Sequence, residues 1–216
     1  MMGVVSEETK EDIVHFHNMI RRKVFPEASN MLKMKWNQKA SENAKKWVAT
    51  CEERISDISI RTVNGAYCGE NFLKSRTALA WYDVISTWGE GKIYFKYGLG
   101  PTKHYNYSDP YTQIIWYKSY LVGCALSYCR KYAIPFFYVC QYCPVGTIAH
   151  QLRRPYKKGK PCADCPMHCE DKLCTNPCKY TDHLEGCAIL KNMSSCEEEL
   201  LIEECNATCK CTTEIK

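Results

Sequence analysis

Cys162-Ala-Asp-Cys165-Pro-Met-His-Cys169-Glu-Asp-Lys-Leu-Cys174-Thr-Asn-Pro-Cys178 holds five cysteines but only two large apolar side chains, Met167 and Leu173. A segment of that composition cannot bury a core of its own and must rely on cross-links, each worth about 2–5 kcal/mol. The same density continues to Cys211, so ten of the sixteen cysteines lie between Cys162 and Cys211. The other six, Cys51, Cys68, Cys124, Cys129, Cys140 and Cys143, are scattered through residues 1–150, which also carry the apolar runs and tryptophans. The shift predicts three parts: a core-building domain over 1–150, a connector over 151–177 and a small stapled module over 178–216.

An even cysteine set this large reads as a disulfide framework made in the secretory pathway, because cytosolic thiols stay reduced. Zinc is the runner-up, since Cys140-x-x-Cys143 and Cys162-x-x-Cys165 have ligand-like spacing. Most of the remaining cysteines sit singly, which favours disulfides. Export is inferred from the cysteines and not from the start of the chain, where Met1–Val5 has no basic flank leading into an apolar core. Three sequons, at Asn106, Asn192 and Asn206, fit export; Asn206 is cramped between Cys205 and Cys209.

With 216 residues, 45% hydrophobic and 25% charged, the chain can bury one sizeable core plus an appendage. No run approaches the roughly 20 apolar residues needed to cross a bilayer. Charge is split: residues 1–177 carry 25 Lys+Arg against 16 Asp+Glu, net +9, whereas 178–216 carry 4 against 8, net −4. The pattern suggests no nucleic-acid partner.

Hydrophobic spacing predicts helices over Glu8–Val24, Gln38–Cys51 and Trp81–Trp88, the first stopped by Pro26. β-Branched and aromatic runs predict strands over Thr112–Tyr117, Leu121–Ser127 and Ile134–Tyr142. Helices and strands in irregular alternation point to an α+β layered sandwich. The basic stretch 151–161, broken by Pro155, Gly159 and Pro161, reads as an extended, solvated connector. Its Arg153, Arg154, Lys157, Lys158 and Lys160 are candidates for contact with sulfated glycans or anionic membranes.

His17-Asn-x-x-Arg21, Asn30-Met-Leu-Lys-Met34 with Trp36, Cys68-Gly-Glu-Asn71, Tyr111-Thr-Gln-Ile-Ile-Trp116, Tyr138-Val-Cys-Gln-Tyr-Cys-Pro-Val-Gly146 and Leu173-Cys-Thr-Asn-Pro-Cys178 follow one another in the order found in the cysteine-rich secretory proteins. The sequence resembles that family along nearly its whole length. The ending Cys209-x-Cys-x-Thr-Glu-Ile-Lys216 and the 169–178 stretch are closer to mammalian epididymal members than to venom members. The resemblance implies an α-β-α sandwich of the pathogenesis-related type, then a mostly helical module similar to sea-anemone channel toxins. It also implies the pairs Cys51–Cys129, Cys68–Cys143, Cys124–Cys140, Cys162–Cys169, Cys165–Cys174, Cys178–Cys211, Cys187–Cys205 and Cys196–Cys209.

Many members of that family hold a divalent metal between two histidines and two glutamates. Here residues 52–67 contain no histidine, the second histidine position is Pro110, and the helical glutamate is replaced by Gly91, with Glu90 one place away. Glu70 alone remains, and is expected to act as a structural hydrogen-bonding carboxylate. His104 sits six positions too early to substitute. No metal, cofactor or catalysis is expected, since nucleophilic hydrolysis needs an activated nucleophile beside a base. His15, His150, His168 and His183 are scattered, and His17 is expected to lock core packing.

The resemblance implies function by binding. The first reading is modulation of a cation channel by the terminal module, with Lys179-Tyr180 the best basic-aromatic pair beside Lys191 and Lys210. The module's acidity disfavours deep pore plugging and allows capping. The second reading is adhesion to a gamete surface. Sterol or lipid carriage, attributed to some relatives, is a third.

Overall fold

The computed structural model describes residues 5–102, 105–147, 149–184 and 186–216. Helix α1 (Glu7–Arg22) begins where the Ser6 side chain accepts the Thr9 amide at 3.2 Å, satisfying one of the unpaired donors of a helix start. It ends at Arg22, short of the predicted Val24, which is instead buried among Met31, Tyr111 and Ile115. Strand β1 (Lys35–Trp36) leads into α2 (Gln38–Val48), capped by Asn37 Oδ1 accepting from Ala40 N at 2.8 Å. The predicted continuation to Cys51 fails because Cys51 has φ 59°, a left-handed geometry that no α-helix runs through.

Strand β2 (Gly69–Ser75), helix α3 (Trp81–Gly89), helix α4 (Tyr105–Ile114) and strands β3 (Leu121–Tyr128) and β4 (Phe136–Cys143) complete the sandwich. The sheet order is β1-β3-β4-β2, with β1 parallel to β3 and the other pairs antiparallel. Alternation along the strands splits the core in two. Val122, Cys124, Tyr138, Cys140 and Tyr142 pack with Ile13, Val84, Ile85, Trp88 and Ile114 from α1, α3 and α4. Ala125, Phe137 and Val139 face the other way, onto Ala44, Trp47 and Val48 of α2. Gly123 is what lets α2 sit this close: a Cβ there would lie 2.2 Å from Ser41 N and 2.6 Å from Asn37 O.

One predicted strand is absent and one strand is present that was not predicted. Tyr111-Thr-Gln-Ile-Ile-Trp116 is not a strand; it forms the end of α4 and the turn after it. Its β-branched and aromatic side chains are buried by packing, with Ile114, Ile115 and Trp116 at most 1% exposed, and its carbonyls are taken by Arg21. Conversely, β2 carries no strand signal in Gly69-Glu-Asn71, and forms because β4 offers it a full ladder from Gly69↔Tyr142 to Ser75↔Phe136. Propensity yields to tertiary context in both cases.

The basic stretch after the sandwich is a strap and not a solvated connector. Pro155 O accepts from Tyr117 N, Lys157 O accepts from Ser29 N, Arg153 O accepts from Gly98 N, and Tyr156 is 3% exposed. The hinge hairpin Cys169–Glu170/Leu173–Cys174 then docks beside residues 31–33, with Cys174 N donating to Met31 O and Lys33 N to Cys174 O. Opposite charges flank it: Arg22 meets Asp171 at 2.6 Å, Lys172 meets Glu27 at 3.2 Å, and Lys33 pairs with Glu170. Beyond it, α5 (Cys187–Met193), α6 (Glu199–Glu204) and α7 (Asn206–Lys210) form the terminal module. Ile215 returns to pack with Leu32, Cys162, Cys165 and Cys174, and Tyr117 Oη donates to Lys216 O at 2.6 Å.

Candidate functional site

Every cysteine is oxidised. The sandwich holds Cys51–Cys129, Cys68–Cys143 and Cys124–Cys140; the hinge holds Cys162–Cys169 and Cys165–Cys174; the module holds Cys178–Cys211, Cys187–Cys205 and Cys196–Cys209. Among the described residues, the one cluster with ligand-type spacing is the sulfurs of Cys162, Cys165 and Cys174. All three are spent in disulfides, so the Cys-x-x-Cys spacings carry no thiolate zinc site.

In the sandwich, Glu70 is the carboxylate of the Cys68-Gly-Glu-Asn71 segment. Its Oε1 accepts Ser56 N at 2.8 Å, and its Oε2 accepts Ser56 Oγ at 2.8 Å and Gln141 Nε2 at 2.9 Å. These bonds tie the loop after Cys51 to β4 and give both carboxylate oxygens internal partners. Behind Glu70 runs a second polar chain. Asn71 Nδ2 donates to Pro110 O at 3.0 Å and to Tyr142 Oη at 3.2 Å, and Tyr142 Oη lies 2.9 Å from His17 Nε2. His17 Nδ1 is 2.7 Å from Ile13 O. A carbonyl can only accept, so the proton of the neutral imidazole sits on Nδ1, and Tyr142 donates to Nε2. Burial lowers the His17 pKa to about 4, against the Ile13 bond and with help from nearby Arg21. The imidazole is a packing element.

The rest of the His-Asn-x-x-Arg motif is equally inward. Asn18 grips the Met34 backbone twice, Nδ2 to Met34 O at 3.0 Å and Oδ1 from Met34 N at 2.8 Å. Arg21, 1% exposed, donates five hydrogen bonds of 2.6–2.9 Å to the carbonyls of Leu32, Ile114, Trp116 and Tyr117. The cation thereby caps the C-terminal end of α4, where the helix dipole is negative.

Among the described residues, the donor set does not fit a zinc ion. Pro110 contributes a carbonyl already bonded to Asn71; Gly91 is buried with no side chain, and Glu90 is exposed on the turn after α3. His104 lies outside the described residues. His15, His168 and His183 are exposed and apart, and the side chain of His150 is not among those described. Of the sequons, Asn192 is exposed on α5 and Asn106 lies on α4. Asn206 Nδ2 is bonded to Glu203 O at 2.9 Å, and the Thr208 hydroxyl is buried against Asp182 at 2.7 Å.

In the terminal module the basic-aromatic pair is Tyr180 with Lys210, whose Nζ stands 4.8 Å from the ring centroid. Sequence order hid this pair, because the Cys178–Cys211 bridge brings the two ends of the module together. Lys191 is held by Thr208 O at 2.9 Å, while Lys179 is exposed next to Tyr180. Sequence reading also missed the exposed apolar side chains: Ile189 at 65%, Met193 at 80% and Leu200 at 54%. Their signal was available, since positions 189 and 193 are one helical turn apart.

Comparison with known proteins accords with this architecture. The sandwich defines the class: a family model described as "Cysteine-rich secretory protein family" matches residues 14–142, and one described as "Crisp" matches 162–216. Solved structures share the fold. A structure of NaASP2 with Zn2+ is 23% identical, covering 79% of this chain and 97% of that one, with a TM-score of 0.65. Schistosoma mansoni venom allergen-like protein 4 is 21% identical, covering 74% and 100%, with a TM-score of 0.58. Guinea pig (Cavia porcellus) "Cysteine-rich secretory protein 2" is 44% identical over 209 residues, 96% of this chain and 85% of that protein. The chain belongs to the cysteine-rich secretory protein family.

Proposed function

We propose that the protein is exported and acts as a non-catalytic binding protein, its terminal module engaging a cation channel or another cell-surface protein. The observation carrying this reading is the module's surface. Three disulfides fix 39 residues, yet Ile189, Met193 and Leu200 stay more than half exposed and Lys210 stacks on Tyr180. Rigid apolar and aromatic anchors lose little entropy on binding. The module's net charge of −4 supports capping of a channel's outer face over entry into a cation pore. Absence of catalysis is supported by Glu70 and His17, whose polar atoms are all committed to internal bonds. The test is patch-clamp recording with the disulfide-bonded chain. Current modulation that falls with Lys210→Ala or Ile189→Ser supports the reading, and modulation indifferent to both variants refutes it.

A second reading, attachment to a gamete surface, is favoured by the likeness to a mammalian family member. Labelled chain that binds sperm in a salt-sensitive manner without altering channel currents selects it.

A further inference from the structure

We propose that the groove between the basic strap and the sandwich is a subsite for a sulfated oligosaccharide. The groove, about 580 Å³, is walled by Tyr97, Tyr117 and Tyr156 and edged by Asn30, Arg154 and Lys158. Tyr97 and Tyr117 are fixed by their own hydroxyls. Tyr97 Oη donates to Tyr156 O at 2.9 Å and accepts from Lys158 N at 3.2 Å, and Tyr117 Oη donates to Lys216 O at 2.6 Å. With these two hydroxyls spent, ring faces are what the half-buried Tyr97 and Tyr117 offer a ligand, while Tyr156, 3% exposed, backs Tyr97 from within the core. The rings of Tyr97 and Tyr156 lie 5.0 Å apart at 35°.

The charges at the rim are uncompensated. Among the described residues Asp164 pairs with Lys157 at 2.9 Å, Glu27 with Lys172, Asp171 with Arg22 and Glu170 with Lys33. That leaves Arg153, Arg154, Lys158 and Lys160 exposed, with no ion pair among the described residues. Asn30 keeps its Nδ2 as a donor, because its Oδ1 accepts Lys157 N at 2.9 Å. Flat aromatic faces suit the C–H faces of sugar rings, an amide suits hydroxyls, and a guanidinium beside an ammonium suits sulfate. The rings are recessed along a groove, the shape for a chain of sugars; insertion into a bilayer requires them to protrude.

The probe is a heparin-derived tetrasaccharide titrated calorimetrically into the full disulfide-bonded chain. The double variant Arg154→Ala/Lys158→Ala alters only exposed side chains, and Arg130→Ala/Lys131→Ala, on the turn between β3 and β4, is the charge-matched control. The proposal expects saturable binding that weakens about tenfold or more in the groove variant, is nearly unchanged in the control, and disappears with the desulfated tetrasaccharide. Equal losses in both variants, or undiminished binding in the groove variant, overturn it. So does binding to phosphatidylserine vesicles that needs Arg154 and Lys158 while the saccharide does not bind.

Discussion

Acidifying the folded protein from pH 7 to pH 4 loads a free-energy difference onto one imidazole. His17 is held neutral with its pKa lowered from 6.5 to about 4, chiefly because it is buried. In the unfolded chain the same ring protonates near 6.5, so between the two values the unfolded state binds a proton that the folded state refuses. Stability is therefore greatest above pH 6.5 and falls as the pH drops towards 4. At about 1.36 kcal/mol per pKa unit, the loss from this residue amounts to about 3 kcal/mol, a large part of the roughly 5–15 kcal/mol typical of a domain. The assay is guanidinium unfolding with the disulfides intact, repeated across this pH range on the native chain and on His17→Gln. The variant keeps a donor and an acceptor but does not titrate. Carboxylates add a slope of their own, common to both proteins, so the difference between the two curves isolates the ring. A difference that stays constant with pH would refute the account of His17 as a neutral, internally bonded element.

Three further outcomes are expected. Arg21→Met leaves carbonyls of α4 and its following turn without donors and should cost about 3–5 kcal/mol, read as a shift in denaturation midpoint. Glu70→Gln should release the loop after Cys51 at a cost of about 1–3 kcal/mol, with faster hydrogen exchange at the Ser56 amide and little change in α1. Gly123→Ala places a methyl group against the backbone of α2 and should destabilise by about 1–3 kcal/mol or more, whereas alanine at the exposed Gly186, whose added Cβ meets nothing within 4 Å, pays only its left-handed backbone.

Much of the fold was legible because its signals are periodic. The stripes Ile13/His17/Ile20 and Trp81/Val84/Ile85/Trp88 placed α1 and α3, and the β-branched and aromatic runs placed β3 and β4. Elements whose form is decided elsewhere were not legible. α4 carries strand-like residues and an internal Pro110, but Arg21, far upstream, gathers its closing carbonyls. β2 begins Gly-Glu-Asn and exists through its partner strand. The expectation of a cleft without its histidines rests on Pro110 and on residues 52–67 alone. The Tyr180–Lys210 contact could not be read, since it is made by a cross-link joining residues 33 positions apart. The strap looked like a linker because Pro, Gly and Lys dominate it, and only Tyr156 hinted that one side chain was anchored.

Ile215, seated between the hinge disulfides and Leu32, turns the last few residues into a brace. The module does not hang from a joint; Cys178 N binds Ile215 O and Asn176 Nδ2 binds Thr213 O at 2.8 Å, closing a ring of backbone contacts around its base. Its bearing relative to the sandwich is thus set in advance, so that the surfaces at the two ends of the chain are held at a fixed span, as with the two jaws of a caliper.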